Sequence, residues 1–236
     1  MTFLTALGPA VPELIVTVGA MALLLIGAFE KESDWTAESI GWMAIAVLAG
    51  AIFFITWQPA GRAVLFDGAF VSDAYSRFAK TLILAGSAAS LMMGFGYLKR
   101  VRIMKFELPV LVLLAVTGMM ILVSATDLIA LYLGLELMSL SLYVVAAIDR
   151  DRVRATEAGL KYFVLGALSS GMLLYGASLL YGFTGATSFQ AIAAAAKAAT
   201  GTAQIGLLVG LAFLLVGLAF KVSAVPFHMW TPDVYE

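Results

Sequence analysis

Seven long apolar runs decide most of what this chain can fold into. They cover roughly residues 11–29, 40–57, 78–98, 107–125, 127–148, 157–181 and 204–225. A helix that crosses a bilayer needs about 20 mostly apolar residues, and each run comes close to that length. Only helices and closed barrels can span lipid, because no water is there to satisfy an exposed backbone. The runs are continuous and do not alternate, which excludes the barrel. The predicted fold class is therefore all-α, a polytopic transmembrane helix bundle of about seven spanning helices. Composition agrees: 62% hydrophobic and 12% charged residues, with a mean hydropathy of +1.01, leave too few charges to cover a soluble domain. The first run follows Pro9 and Pro12 without a basic segment and is too long for a signal-peptide core, so it reads as a retained helix.

Other classes of chemistry fall away. A net charge of −1 lacks the basic footprint that nucleic acid requires. There is no cysteine, hence no disulfide and no thiolate for an iron–sulfur cluster. The single histidine, His228, cannot build a metal site alone. Gly94-Phe95-Gly96 runs straight into a basic loop and is no nucleotide-binding fingerprint. No cofactor is expected in this chain, and any redox chemistry it serves is expected in a partner.

Lysine and arginine set the predicted orientation. Lys31, Lys99, Arg100, Arg102, Lys105, Arg150, Arg152 and Arg154 fall on the side shared by loops one, three and five. Arg62, Arg77, Lys80 and Lys197 fall on the other. The first set is expected to be cytoplasmic and the N-terminus outside. Two loops are longer. Within residues 58–76, Asp67-Gly68 between apolar pairs predicts a small hairpin. Within 182–203, the alanines of 191–196 predict a short surface helix. Gly206 with Gly210, and Ala167 with Gly171, have the four-residue spacing that lets helices approach closely.

Ionisable groups inside spanning helices are costly and mark function by default. Glu136 lies nine residues past Asp127 in an otherwise apolar run, about 13 Å into its helix at 1.5 Å per residue. It either exchanges protons or is kept neutral by hydrogen bonds to Ser139 or Ser141. Lys221 ends sixteen uncharged residues, 205–220, and is followed by Val222-Ser223-Ala224-Val225-Pro226. Pro226 removes a backbone donor and disfavours helix at Val225, so the last helix is expected to break near Lys221 and Pro226. Broken helices at membrane depth line cavities or are shielded by protein. The alternative is a helix that simply ends there, with Lys221 snorkelling to the interface. Lys161 pairs with Glu157 at i, i+4 in the favourable order, as an interfacial pair or as part of a proton path. Asp127 and Asp149 flank helix ends and read as structural. His228 follows the expected break and is a candidate relay.

Three segments carry a resemblance: 133–143 (Leu-Gly-Leu-Glu-Leu-Met-Ser-Leu-Ser-Leu-Tyr), 157–171 with Glu157 and Lys161, and 220–236 with Lys221, Pro226-Phe227-His228 and the Thr-Pro-Asp-Val-Tyr-Glu ending. Together they resemble the antiporter-like membrane subunits of proton-pumping NADH–quinone oxidoreductase, respiratory complex I, and subunit N in particular. The resemblance implies an inverted pair of helical repeats, each with a broken helix, and no redox cofactor. It implies that Glu136 and Lys221 form a glutamate–lysine pair of a proton-translocation path, with Lys161 and His228 as further positions on it. Its partners would be neighbouring membrane subunits, with NAD, FMN, iron–sulfur clusters and quinone held by others, and its place a bacterial inner membrane. Residues 1–106 would form helices one to three with the outer hairpin, and 107–236 the first part of the proton-translocating repeat. Family members carry about twice as many helices, so the chain is expected to be the N-terminal half of a longer subunit and not to pump alone. A subunit of a multi-subunit Na⁺/H⁺ antiporter or of a membrane-bound hydrogenase shares the Lys221/Pro-Phe-His pattern, and a passive membrane scaffold is the third possibility.

Overall fold

The computed structural model describes residues 7–31, 33–59 and 61–235. Nine α-helices and one two-stranded hairpin are assigned among them: α1 (Val11–Phe29), α2 (Asp34–Trp57), β1 (Ala63–Leu65), β2 (Phe70–Ser72), α3 (Ala74–Val101), α4 (Glu107–Ser124), α5 (Leu128–Ala146), α6 (Val153–Thr184), α7 (Phe189–Ala198), α8 (Thr202–Lys221) and α9 (Thr231–Tyr235). All but α7 and α9 are long and apolar enough to cross a membrane, seven helices in all. The predicted spans match them to within a few residues.

The larger misses lie at helix starts and have local causes. Ser33 caps α2, accepting from Thr36 N–H, so that helix begins at Asp34 and not near residue 40. Asp73 and Ser76 form a reciprocal capping box that starts α3 at Ala74, four residues before the predicted 78. That shift carries Lys80 a full turn deeper than the sequence placed it.

Helices α1 to α4 enclose one apolar core, with Val16, Ile40, Leu48, Leu84, Leu113 and Met120 almost completely buried. α4 also packs closely on α5: a Cβ on Gly118 would stand 2.5 Å from Met138 N and 2.6 Å from Gly134 O. Only glycine permits this approach, two residues from Glu136. α6 and α8 form the other close pair. Gly206 and Gly210 both face α6, whereas a Cβ on Gly171 would meet nothing within 4 Å.

One end of the bundle is stitched by backbone. The predicted hairpin forms, with Ala63 opposite Ser72 and Asp67 in the left-handed region at φ 52°. Phe70 bridges to Ala125 and Asp127 to Ser188, so the hairpin, the α4–α5 link and the segment before α7 are joined. The predicted surface helix is α7. At the opposite end, α8 stops in a Schellman motif: Ser223 sits at φ 54°, Ala224 N–H donates to Ala219 O, and Ser223 N–H donates to Phe220 O. Residues 222–230 are turns, with Val225–Pro226 cis, and α9 follows. The break thus begins directly after Lys221, and the last spanning helix ends four residues before the apolar run does.

Candidate functional site

Glu136, Ser139 and Tyr143 are spaced i, i+3, i+7 on α5, which puts them on one face of that helix. The face meets α6 and the end of α8. Ser170 on α6 donates its hydroxyl to Glu136 Oε1. Lys221, the last residue of α8, turns inward: its Nζ donates to Ser139 Oγ at 2.8 Å and to Tyr143 Oη at 3.0 Å, and lies 3.7 Å from Glu136 Oε1. The two charged side chains are 7% (Lys221) and 18% (Glu136) exposed. At 3.7 Å and an effective dielectric of about 20, their attraction is about 4.5 kcal/mol. The lysine does not snorkel.

The surroundings hold this geometry. Ser169 donates to Gly217 O at 3.1 Å and fastens α6 to α8 one turn before Lys221. Tyr143 meets Tyr162 edge-on at 4.6 Å, and Tyr162 stacks on Trp230 at 4.3 Å. Phe220 also packs on Trp230, at 5.6 Å. These rings anchor the segment after the break to α5 and α6 and cover the lysine end of the pair.

The other candidates lie apart. Lys161 is half-exposed on α6, at 2.9 Å from both Glu157 and Asp233, and so links α6 to α9. His228 is exposed in the turns after the break. Ser139, expected as a partner of Glu136, is taken by Lys221; Ser141 donates to Leu137 O within its own helix. Asp127 caps α5, accepting from Ala130 N–H at 2.6 Å. Asp149 lies 3.8 Å from Arg152 beside the start of α6. Sequence reasoning missed Ser170 and Tyr143, although the i+7 spacing of Tyr143 from Glu136 was a usable signal. It also misplaced Lys80: this side chain is buried within the bundle against Glu13, and does not belong with the loop charges that set orientation. Glu236 lies outside the described residues.

Among the described residues seven helices can cross a membrane, the last stopped at a buried lysine that meets a mid-helix glutamate, the arrangement implied by the resemblance to antiporter-like subunits. Residues 125–236 match the family described as NADH:quinone oxidoreductase/Mrp antiporter, TM, so this multi-pass membrane protein carries that family's transmembrane domain over those residues. Within it, the likeness is to NADH-quinone oxidoreductase subunit N. The chain is 58% identical to the subunit N of Beijerinckia indica over 98% of its own length and 47% of that protein's. It is 57% identical to that of Azorhizobium caulinodans over 100% and 48%. Its fold matches a chain of respiratory complex I from Thermus thermophilus with a TM-score of 0.75 and 33% identity, covering 95% of this chain and 47% of that one. A chain of an archaeal membrane-bound sulfane sulfur reductase shares the fold at a TM-score of 0.82 and 21% identity, over 96% and 47%. The chain spans about half the length of the curated relatives it matches.

Proposed function

We propose that the chain supplies a Glu/Lys proton-translocation path to the membrane arm of a proton-pumping NADH:quinone oxidoreductase, coupled to quinone reduction elsewhere in the complex. The observation that carries this is the Glu136–Lys221 contact at 3.7 Å, sealed among α5, α6 and α8 directly at the helix break. While Glu136 is charged and close, the ammonium of Lys221 is compensated. When the carboxylate is drawn away or neutralised, about 4.5 kcal/mol of attraction is lost, and an uncompensated ammonium in a dry interior gives up its proton. Ser139 and Tyr143, already hydrogen-bonded to Nζ, are the first groups on that proton's way. Lys161, through Asp233, and His228 belong to the same path on the side of the break.

The rest of the assignment follows the relatives. The partners are the other membrane subunits of the complex, including neighbouring antiporter-like ones. NAD, FMN, iron–sulfur clusters and quinone reside in partner subunits. The site of action is a bacterial inner membrane with the N-terminus outside, supported by eight basic residues on one side against Arg62, Arg77 and Lys197 on the other once Lys80 is removed. Residues 1–106 serve as N-terminal helices with the hairpin, and 107–236 as the first part of the repeat.

The test is Glu136→Gln and Lys221→Ala in the complex that contains the full-length subunit. Each is expected to lower proton pumping while electron transfer to an artificial acceptor persists. Pumping at the wild-type level in both variants would remove the proposal. A second reading draws on the family description, which also names Mrp antiporters: a subunit of a multi-subunit Na⁺/H⁺ antiporter or a membrane-bound hydrogenase. Neighbouring genes separate the two. A passive scaffold predicts instead that these neutral variants disturb assembly on native gels and not transport.

A further inference from the structure

The bundle holds a second buried charge pair, remote in sequence from the first. Lys80 Nζ on α3 lies 2.6 Å from Glu13 Oε1 on α1, with the side chains 1% and 8% exposed. It is drier than the Glu136–Lys221 pair. The Lys80 ammonium also sits 4.7 Å from the centre of the Phe70 ring on β2. Burying two charges often costs more than their attraction returns, so apolar residues of like volume would hold these helices at least as well. A purely structural need does not explain the choice.

Two further observations point to exchange with a ligand. Oε1 of Glu13 is taken by Lys80, but Oε2, equally buried, has no hydrogen-bond partner although it can accept two. Glu13 also lines a cavity of about 410 Å³ beneath the hairpin, between α1, α4 and α5, with its carboxylate oxygens just behind the wall. Thr17, Thr117 and Asp127 line it as well, the two threonine hydroxyls donating to Glu13 O and Leu113 O within their own helices. The titratable groups facing this region are Glu13 from α1, Lys80 from α3 and Asp127 at the start of α5; α4 contributes the hydroxyl of Thr117 and the hairpin its phenylalanine rings. Phe70 bridges to Ala125, two residues before the Asp127 cap of the helix that carries Glu136. The second pair is therefore joined through one short strand to the helix of the first.

We infer that Glu13 and Lys80 form a second proton-exchange site, beside the cavity at the hairpin end of the bundle. A proton delivered from the cavity to a Glu13 oxygen makes the carboxyl neutral and leaves Lys80 a cation held by the Phe70 ring. Return of that proton to the cavity restores the ion pair. The charge of the site alternates between zero and plus one, and no other bond changes. The inference rests on the proposed proton-translocation function.

Two measurements on the assembled complex with its full-length subunit test it. Dicyclohexylcarbodiimide captures protonated carboxyl groups in apolar surroundings, so peptide mass spectrometry is expected to find Glu13 modified, and more so during turnover than at rest. Glu13 unmodified in both states overturns the inference. The variant E13Q/K80M removes both charges at nearly constant volume. It is expected to assemble on native gels and to show a lowered proton-to-electron ratio. An assembled double variant with the wild-type ratio overturns the inference; if the variant does not assemble, the labelling result decides. E136Q and K221A are measured alongside. A loss in E136Q with a normal ratio in E13Q/K80M removes the second site alone, whereas a normal ratio in both E136Q and K221A removes the function on which it rests.

Discussion

Alanine at Gly217 perturbs the charge pair without touching either charge. A Cβ there would stand 2.5 Å from Leu173 Cβ and 3.1 Å from both Leu173 Cα and Ser169 O. Comfortable contact between carbon atoms begins near about 3.5 Å, so α8 must retreat from α6 by about 1 Å at this turn. Two of the three obstructing atoms are backbone and cannot swing aside. The bond from Ser169 Oγ to Gly217 O, now 3.1 Å, is broken by the same movement. Losing a buried hydrogen bond costs about 1 kcal/mol, and overpacking adds about 1–3 kcal/mol. Lys221 lies one turn further along α8 and moves with it. Opening the pair from 3.7 Å to about 4.7 Å lowers its attraction from about 4.5 to about 3.5 kcal/mol at an effective dielectric of about 20. The purified complex carrying G217A is expected to melt at a lower temperature and to pump fewer protons per electron, with electron transfer to an artificial acceptor unchanged. G171A is the control, because its Cβ meets nothing within 4 Å. If G217A matched G171A in both melting and pumping, close α6–α8 contact would not be what holds the pair.

Further outcomes follow from single hydrogen bonds. Ser170→Ala removes the hydroxyl that donates to Glu136; bonds to charged groups are worth about 1.5–3 kcal/mol in water-soluble proteins and less between membrane helices, so a partial loss of pumping is expected, measured as the proton-to-electron ratio. Tyr143→Phe keeps the edge-on contact with Tyr162 but takes one acceptor from Lys221. It is expected to slow pumping with no change in native-gel migration, and an unchanged rate would exclude the hydroxyl from the path. Asp127→Ala removes the cap of α5 at a cost of about 1 kcal/mol, and is expected to lower the melting temperature of the complex.

What the sequence made legible was what depends on runs of neighbours. Spanning segments need only length and apolarity, and Glu136 stands out because its flanks are uncharged for more than a turn on each side. Lys221 stands out for the same reason, and Pro226 announces the break. The Glu13–Lys80 pair stayed hidden for two reasons. Its members belong to different helices, so only tertiary packing joins them. The capping box of Asp73 and Ser76 was also not recognised, and with α3 begun at 78 Lys80 looked like an interfacial residue. Begun at Ala74, the helix places it nearly two turns deep, where a lone lysine demands a partner.

The partners of Glu136 were only half legible. Ser139 lies close in sequence and was an obvious donor, yet the carboxylate faces α6 and takes the Ser170 hydroxyl. Which face of α5 meets which helix is fixed by Gly118 and Gly134, whose contact needs the fold to be seen. Lys161 shows the converse. Its pairing with Glu157 follows from helical spacing, whereas its contact with Asp233 depends on the chain turning back after the break.

The most direct test of the paired charges is a double-mutant cycle on the proton-to-electron ratio of the full complex, comparing E136Q, K221M and E136Q/K221M. Side chains that act as one unit lose their effect together, so the double variant is expected to pump no worse than the poorer single variant. Losses that simply add, or a normal ratio in K221M, would contradict a shared role for the two charges.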